Sequence, residues 1–185
     1  SQFEAEGLFA DSMDLFLKFD DLDHGMEWCE EQIISETTIG SNKQKEEIDE
    51  IKLFEEKFAD LLTYFESKDI NQNTTLIEQG NDPEGLYFIK SGRVTVELRS
   101  SNNKIRLKSM GTGTVVGEVS LYLKTQATAS VISNTACETY FLSHENFEKL
   151  NKEDPERAAE LHTYIVKLLS DRLAKSNATI QALMQ

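Results

Sequence analysis

The residues whose types suit ligand binding lie in one short segment, residues 117–130. Gly117 is followed by Glu118, Val119 and Ser120. A short helix that begins near a glycine presents unpaired backbone N–H groups to an anion, and the missing side chain allows a close approach. The Glu118 carboxylate would repel that anion unless a basic group balanced it. The segment therefore predicts a polar binding site whose affinity for anions depends on a nearby cation.

Residues 117–131 resemble the phosphate-binding cassette of cyclic nucleotide-binding domains. In that family the cassette reads G-E-[ILV]-[AS]-L, a short spacer and then P-R-[AT]-A-[ST]-V, and both ends match this sequence without a gap. Gln126 stands where the family usually has proline, and Ala127 stands where it has the arginine that pairs with the cyclic phosphate. The resemblance thus supports the fold of the family and argues against its usual ligand contact.

The resemblance also assigns roles within the segment. In the family, the glutamate at the position of Glu118 accepts a hydrogen bond from the ribose 2′-hydroxyl, and residues 128–130 close on phosphate and base. Lys124 lies in the spacer and could supply a positive charge, although its flexible ammonium group is not equivalent to an arginine fork. The predicted ligand-binding residues are Gly117, Glu118, Val119, Ser120, Lys124, Ala127, Thr128, Ala129 and Ser130.

The absence of the arginine should reduce the free energy of phosphate binding. Removing one member of a buried, hydrogen-bonded charge pair costs about 2–5 kcal/mol. That free energy corresponds to roughly 30-fold to a few thousand-fold in affinity. The ligands that the resemblance suggests are cAMP and cGMP, and we expect both to bind weakly or not at all.

No group of residues in the sequence predicts catalysis or a metal site. Ser120 and Ser130 have no histidine nearby in the chain, and the glycine-rich segment 111–117 lacks the strand and crossover helix that a dinucleotide-binding turn requires. The histidines and cysteines show no metal-ligand spacing. They are His24, His144, His162, Cys29 and Cys137.

The spacing of apolar residues divides the chain into zones. Residues 47–67 predict a helix, because apolar residues recur from Ile51 to Phe65 at intervals of three and four. Residues 72–142 predict a barrel, because short strand-like runs alternate with turn residues. The predicted strands are Thr74–Glu78, Leu86–Ile89, Arg93–Leu98, Ile105–Ser109, Thr128–Ser133 and Glu138–Leu142.

Residues 143–185 predict two further helices. Ser143 can cap the first of them, and Asp154 followed by Pro155 is a favourable start for the second. In the second helix one face carries an apolar series that ends in a charged residue. Its members are Leu161, Ile165, Leu168 and Arg172.

A second local motif agrees with the cassette. Residues 86–94 resemble the Y-x-I-x-S-G-x-V hairpin of cyclic nucleotide-binding domains, and Gly92 suits a tight turn that needs a positive φ. The order of helix, barrel and helices also matches that family over about residues 50–185. We therefore expect an α+β fold, namely a β-roll or jelly-roll barrel flanked by N- and C-terminal helices.

The charge of the chain is uneven. The net charge is −14, and residues 1–70, with 20 acidic and six basic residues, account for all of it. This acidic region disfavours binding to nucleic acid and to anionic membrane surfaces. We expect neither a membrane span nor a signal peptide, because no long apolar run is present. Two cysteines are too few for a disulfide scaffold, which is typical of a cytoplasmic protein.

The N-terminal segment carries a different resemblance. Residues 19–30, FDDLDHGMEWCE, are similar to the closing helix of the STAS domain of SulP-type anion transporters, where F-x-D-x-D-x-A/G-L-E-W-C-E is common. Some bacterial members carry a cyclic nucleotide-binding-type domain after STAS. The resemblance implies a STAS tail over residues 1–36, a linker over 37–46 and the binding-type domain over 47–185. It also implies a location on the cytoplasmic side of the membrane, with the STAS and membrane domains of the transporter as partners.

These observations favour a regulatory binding module rather than an enzyme. In the family that the cassette resembles, ligand binding repositions the C-terminal helix, here about Pro155 to Ala182. One alternative is a working cAMP or cGMP sensor with a phosphate contact from Lys124 and backbone amides. A second alternative is a dimerisation or scaffolding domain, because the first and last helices have apolar faces.

Overall fold

The computed structural model describes residues 51–100 and 103–183. These residues belong to the second of two compact units, Ser1–Glu46 and Glu47–Gln185. The predicted STAS tail at 1–36 and the predicted linker at 37–46 lie outside the described residues. None of the helices within the described ranges has the length and the apolar character that crossing a bilayer requires.

The helix predicted for residues 47–67 ends at residue 57 in the structure. Helix α1 is described over 51–57, a 3-10 turn covers Leu61–Tyr64, and strand β1 covers Glu66–Ile70. Phe65 is extended, with φ −102° and ψ 146°. The helical spacing does continue to Phe65, but pairing of β1 with a later strand overrides it, as tertiary contacts often override local propensity.

Within the described residues, eight strands form two antiparallel four-stranded sheets. The remaining strands are β2 Thr75–Ile77, β3 Gly85–Ser91, β4 Val94–Ser100, β5 Asn103–Met110, β6 Val115–Val116, β7 Ser130–Ser133 and β8 Cys137–Ser143. One sheet has the order β1-β8-β3-β6, and the other has the order β2-β7-β4-β5. This is the two-sheet β-roll that the sequence predicted, and the α+β fold class is confirmed.

The strands differ from the prediction in two respects. All six predicted strands are present with shifted ends, but β1 and β6 were missed, so the strands run from Glu66 to Ser143 rather than within 72–142. The predicted hairpin at residues 86–94 is wrong, because β3 and β4 lie in different sheets. Gly92 does have a positive φ of 91°, and its turn carries the chain from one sheet to the other.

Strand β3 separates two cores, which explains why its first five residues are all buried. Leu86 and Phe88 pack with the helices in one cluster. Tyr87 and Ile89 pack between the sheets in a second cluster. Because successive side chains of a strand point to opposite faces, a strand that is covered on both sides has no polar alternation.

Three helices accompany the last strands and the cassette. Helix α2 spans Glu118–Leu123, α3 spans His144–Glu153 and α4 spans Pro155–Leu183. The Ser143 hydroxyl accepts from the Asn146 N–H at 3.1 Å, and Asp154 Oδ1 accepts from the Arg157 N–H at 3.2 Å. Both predicted N-caps are therefore confirmed. Helix α4 is long enough to reach from the core of the helices to the cassette.

Candidate ligand-binding site

A tight backbone turn places the cassette next to strand β3. Gly117 precedes α2 with φ 89°, and Lys124 ends α2 in the left-handed region with φ 53°. A Cβ atom on residue 117 would lie 2.7 Å from the Gly85 carbonyl oxygen and 2.9 Å from Ile77 Cδ1. Residue 117 must therefore be glycine, both for its φ and for the close approach of two backbone segments.

We expect Gly117→Ala to destabilise the fold by about 1–3 kcal/mol, which is the usual cost of a strained backbone position. Gly111→Ala is the matched control, because a Cβ there would meet only the Gly92 carbonyl oxygen, at 3.9 Å. Urea unfolding followed by circular dichroism measures both variants. Equal stability of the two variants would contradict the assigned role of Gly117.

Beneath the cassette lies a cavity of about 120 Å³. Its apolar wall comes from both sheets, and its polar side comes from residues 117–120 and 127–129 of the cassette. The apolar residues are Ile77, Val96, Met110, Val116 and Val131. Among the lining residues the charged ones are Glu118 and Arg172. The cavity therefore has one formal charge of each sign.

Those two charges are paired. Glu118 is 2% exposed, and its Oε1 accepts from Arg172 Nη1 at 2.8 Å. Arg172 Nη2 donates to the Val115 carbonyl oxygen at 2.7 Å. The guanidinium group of α4 thus satisfies a buried carboxylate and a backbone carbonyl of the barrel at the edge of the cavity.

Ala127 lies in the cavity wall where the family's arginine would stand. It is 4% exposed, its N–H donates to the Asn81 carbonyl at 2.9 Å and its carbonyl accepts from the Gly80 N–H at 2.8 Å. These bonds fix the backbone of residue 127 against the turn after β2. A longer side chain at this position would therefore start from the wall of the cavity.

The other predicted residues divide into cavity-lining and outlying ones. Ser120, Thr128 and Ala129 line the cavity together with Val119. The Ser130 hydroxyl is fully buried and accepts from the Gln79 N–H at 3.0 Å, so it is used in the fold. Lys124 is exposed at the end of α2 and is not among the lining residues.

Arg172 is the charged lining residue that was not predicted to be part of the site. The sequence did contain a signal, since Arg172 continues the apolar face of the last helix, at Leu161, Ile165 and Leu168. A charged residue on a buried face needs a partner. The partner could not be identified from the spacing of residues, because Glu118 lies 54 positions earlier in the chain.

A second polar chain joins α2, α4 and α3 next to the cassette. Asn151 Nδ2 donates to the Phe147 carbonyl at 2.7 Å, which leaves Asn151 Oδ1 to accept from His162 Nε2 at 2.8 Å. His162 Nδ1 then accepts from the Tyr122 hydroxyl at 2.7 Å. Burial, with the nearby Glu118 charge, raises the pKa of Tyr122 to about 12. With this direction of the hydrogen bonds, both His162 and Tyr122 are neutral.

We expect the stability of the fold to decrease at pH values below about 6.5, and His162 to be the cause. Burial lowers the pKa of His162 from its usual value of 6.5. The unfolded chain then binds the proton more readily than the native state, so stability declines as the pH falls through this range and is constant above it. Denaturant unfolding between pH 7.5 and 5 measures the slope. His162→Gln should show a shallower decline than the wild type, and equal slopes would contradict the assignment.

The described residues offer neither a metal cluster nor an activated thiol at the cavity. Among residues 51–100 and 103–183, no cluster of histidine, cysteine or acidic side chains is placed to hold a metal ion. Cys137 is buried, and burial raises the pKa of its thiol. A buried, protonated thiol is a poor nucleophile.

Comparison with known proteins agrees with this geometry. Residues 67–154 match the sequence model of the family described as cyclic nucleotide-binding domain. The chain is 27% identical over 172 residues to glutaminase 2 of Bradyrhizobium diazoefficiens, covering 88% of this chain and 26% of the glutaminase. It is 32% identical over 105 residues to the potassium/sodium hyperpolarization-activated cyclic nucleotide-gated channel 2 of Mus musculus, covering 57% of this chain and 12% of the channel. The chain therefore spans about a quarter or less of the length of these relatives.

A solved structure gives the same fold. A cyclic nucleotide-binding domain from Methylobacillus flagellatus KT superposes with a TM-score of 0.63 at 20% identity, covering 69% of this chain and 72% of that chain. At that identity the likeness concerns the fold. Together with the family model that matches residues 67–154 and with the two-sheet roll, it shows that the described part of the chain has the fold of cyclic nucleotide-binding domains.

Proposed function

We propose that this chain is a non-catalytic regulatory module that binds cAMP and cGMP weakly or not at all. The observation that carries the proposal is Ala127, which lines the cavity where the family's phosphate-binding arginine would stand. Domains of this family typically serve as regulatory modules, and the described residues offer no reactive group at the site.

The charges around the cavity support weak nucleotide binding. Glu118 contributes a buried negative charge, and the positive charge of Arg172 is already engaged by it. A cyclic phosphate would therefore enter a site without an available cation, and the cost of about 2–5 kcal/mol for an unpaired buried charge applies. Lys124 does not reduce this cost from its position outside the cavity lining.

Isothermal titration calorimetry of the chain with cAMP and with cGMP tests the proposal. We expect dissociation constants of tens of micromolar to millimolar or weaker, because a micromolar site would lose roughly 30-fold to a few thousand-fold. Low-micromolar dissociation constants would overturn the proposal in favour of a working nucleotide sensor. The similarity to a channel named for its gating by cyclic nucleotides is the observation that favours this second candidate.

We further propose that the module regulates a larger protein, with a SulP-type anion transporter as the first candidate. The support is the STAS-like motif in residues 19–30. In such a protein the partners would be the STAS and membrane domains, with the module on the cytoplasmic side.

A glutaminase is the second candidate for the larger protein. The match to glutaminase 2 covers 88% of this chain, which is more than Glu47–Gln185 can supply, so the similarity extends into the N-terminal unit. The complete reading frame distinguishes the two candidates. A membrane-spanning domain followed by STAS would support the transporter, and a glutaminase catalytic domain would support the enzyme subunit.

Self-association through helices is a further proposal, favoured by exposed apolar residues on α4. Val166 and Leu173 are exposed and lie seven positions apart, so they share one side of the helix. Sedimentation velocity at several concentrations tests this proposal. A monomer at the highest concentration would overturn it.

A further inference from the structure

Arg172 marks the point where helix α4 stops packing against the domain. Before it, Leu161 and Ile165 are fully buried on the inner face of the helix. After it, every residue of α4 whose exposure is described is exposed. Among the described side chains, Arg172 therefore makes the last contacts that anchor α4 on the barrel, with Glu118 and Val115.

Arg172 already binds the Glu118 carboxylate, which a polar ligand of this cavity would need as an acceptor. Glu118 is the carboxylate among the lining residues, and its Oε1 accepts from Arg172 Nη1. A ligand hydroxyl that donated to this oxygen would compete with the guanidinium group for it, because the cavity of about 120 Å³ leaves little room for both. A buried carboxylate cannot lose one donor without gaining another, because an unpaired buried charge is costly.

The small volume of the cavity agrees with the engagement of its carboxylate by Arg172. Its volume is about 120 Å³, whereas pockets for small organic ligands measure about 300–1,000 Å³. A nucleotide-sized ligand therefore fits only if a lining group moves. Arg172 is half-buried, and the later residues of α4 whose exposure is described are exposed, so withdrawal of its side chain would uncover no residue of the buried core on α4.

We propose that Arg172 is an internal competitor for the ligand site, which closes the cavity and holds the end of α4 on the barrel. The proposal rests on the proposed function, with nucleotide binding that is weak rather than absent. A ligand with sugar hydroxyl groups for Glu118 displaces Arg172 and so releases residues 173–183. Binding and the release of α4 are thereby coupled, and each must favour the other to the same extent.

Arg172→Gln tests the competition. Glutamine keeps a hydrogen-bond donor near Glu118 but removes the charge and the fork. We expect the affinity for cAMP and cGMP to rise about tenfold or more, which corresponds to a site that is closed at least roughly nine-tenths of the time in the wild type. Lys167→Gln is the matched control, because it removes a positive charge from an exposed position earlier on the same helix, outside the cavity lining. It should leave the affinity unchanged.

Hydrogen–deuterium exchange gives a readout that needs no ligand. Amides of residues 173–183 should exchange faster in Arg172→Gln and in Glu118→Gln than in the wild type and in Lys167→Gln. Glu118→Gln breaks the same pair from the barrel side, so it replaces Arg172→Gln if that variant does not fold. Unchanged exchange in both variants would overturn the anchoring role of the pair.

The nucleotide titrations separate failure of the competition from failure of the proposed function. Weaker binding by Arg172→Gln would show that Arg172 contacts the ligand, and unchanged binding would show no competition; either result overturns the inference alone. Absence of binding by every variant, including Ala127→Arg combined with Arg172→Gln, would overturn the binding function itself.

Discussion

Ala127→Arg is expected to increase the affinity for cAMP and cGMP by roughly 30-fold or more. The change restores a positive charge to the cavity wall, and a buried charge pair with the cyclic phosphate is worth about 2–5 kcal/mol, or about 30-fold to a few thousand-fold. Ala127 faces the cavity from a backbone that is fixed by two hydrogen bonds. The new side chain therefore starts at the correct wall. Calorimetry with both nucleotides measures the gain.

Gln126→Arg is the matched control for this gain. It adds the same charge one residue earlier, at an exposed position outside the cavity lining, where solvent and salt screen it. We expect it to change the affinity less than about threefold by this screening argument. A folded Ala127→Arg variant that gains no more than Gln126→Arg would contradict the view that the missing charge limits binding. Its melting temperature, compared with that of the wild type, shows whether the cavity accepts the longer side chain.

The substitutions Ala127→Arg and Arg172→Gln remove different free-energy costs of nucleotide binding. Ala127→Arg supplies the missing phosphate contact, whereas Arg172→Gln removes an internal competitor for Glu118. If these costs are separate, the free-energy gains of the two variants add in the double variant, as they do for independent sites. A gain in Ala127→Arg that appears only together with Arg172→Gln would show that the closed cavity dominates.

The strands could be located from the sequence, but their partners could not. Alternation of polar and apolar residues predicted a strand at Arg93–Leu98, and the structure has it at Val94–Ser100. Local pattern does not encode which strands pair, and so a turn at Gly92 that resembled a hairpin joins two separate sheets. The strand at Glu66–Ile70 is exposed at most positions, and it carries no apolar pattern that would have distinguished it from the end of a helix.

The candidate site, too, could be predicted from the sequence only in part. The cassette residues 117–131 are contiguous, so their motif could be recognised, and the structure brings most of them to one cavity. Arg172 reaches that cavity from a helix 54 positions later. Helical spacing placed it on the inner face of α4, but the direction in which α4 crosses the barrel depends on packing against the aromatic core.

Phe54→Ala is expected to destabilise the domain by about 3–5 kcal/mol, the usual loss for a large buried aromatic side chain. Phe54 is 1% exposed and lies at the centre of an aromatic cluster that joins α1, the sheet and α4. Its ring centroid is 4.7 Å from that of Phe88 in β3 and 5.4 Å from that of Tyr164 in α4. Alanine would remove both contacts and leave a cavity between the helices and the sheet.

Leu53→Ala is the control for Phe54→Ala, because Leu53 precedes it on α1 and is 64% exposed. Surface substitutions of this kind usually change stability by about 0.5 kcal/mol or less. Urea unfolding at constant pH measures both variants. Because Phe54 supports Tyr164, we also expect the loss to spread along α4 towards Arg172, so that hydrogen–deuterium exchange of residues 161–172 rises in Phe54→Ala and not in Leu53→Ala. A loss below about 1 kcal/mol would be incompatible with the cavity term for a buried phenylalanine and would show that α4 docks without the aromatic cluster.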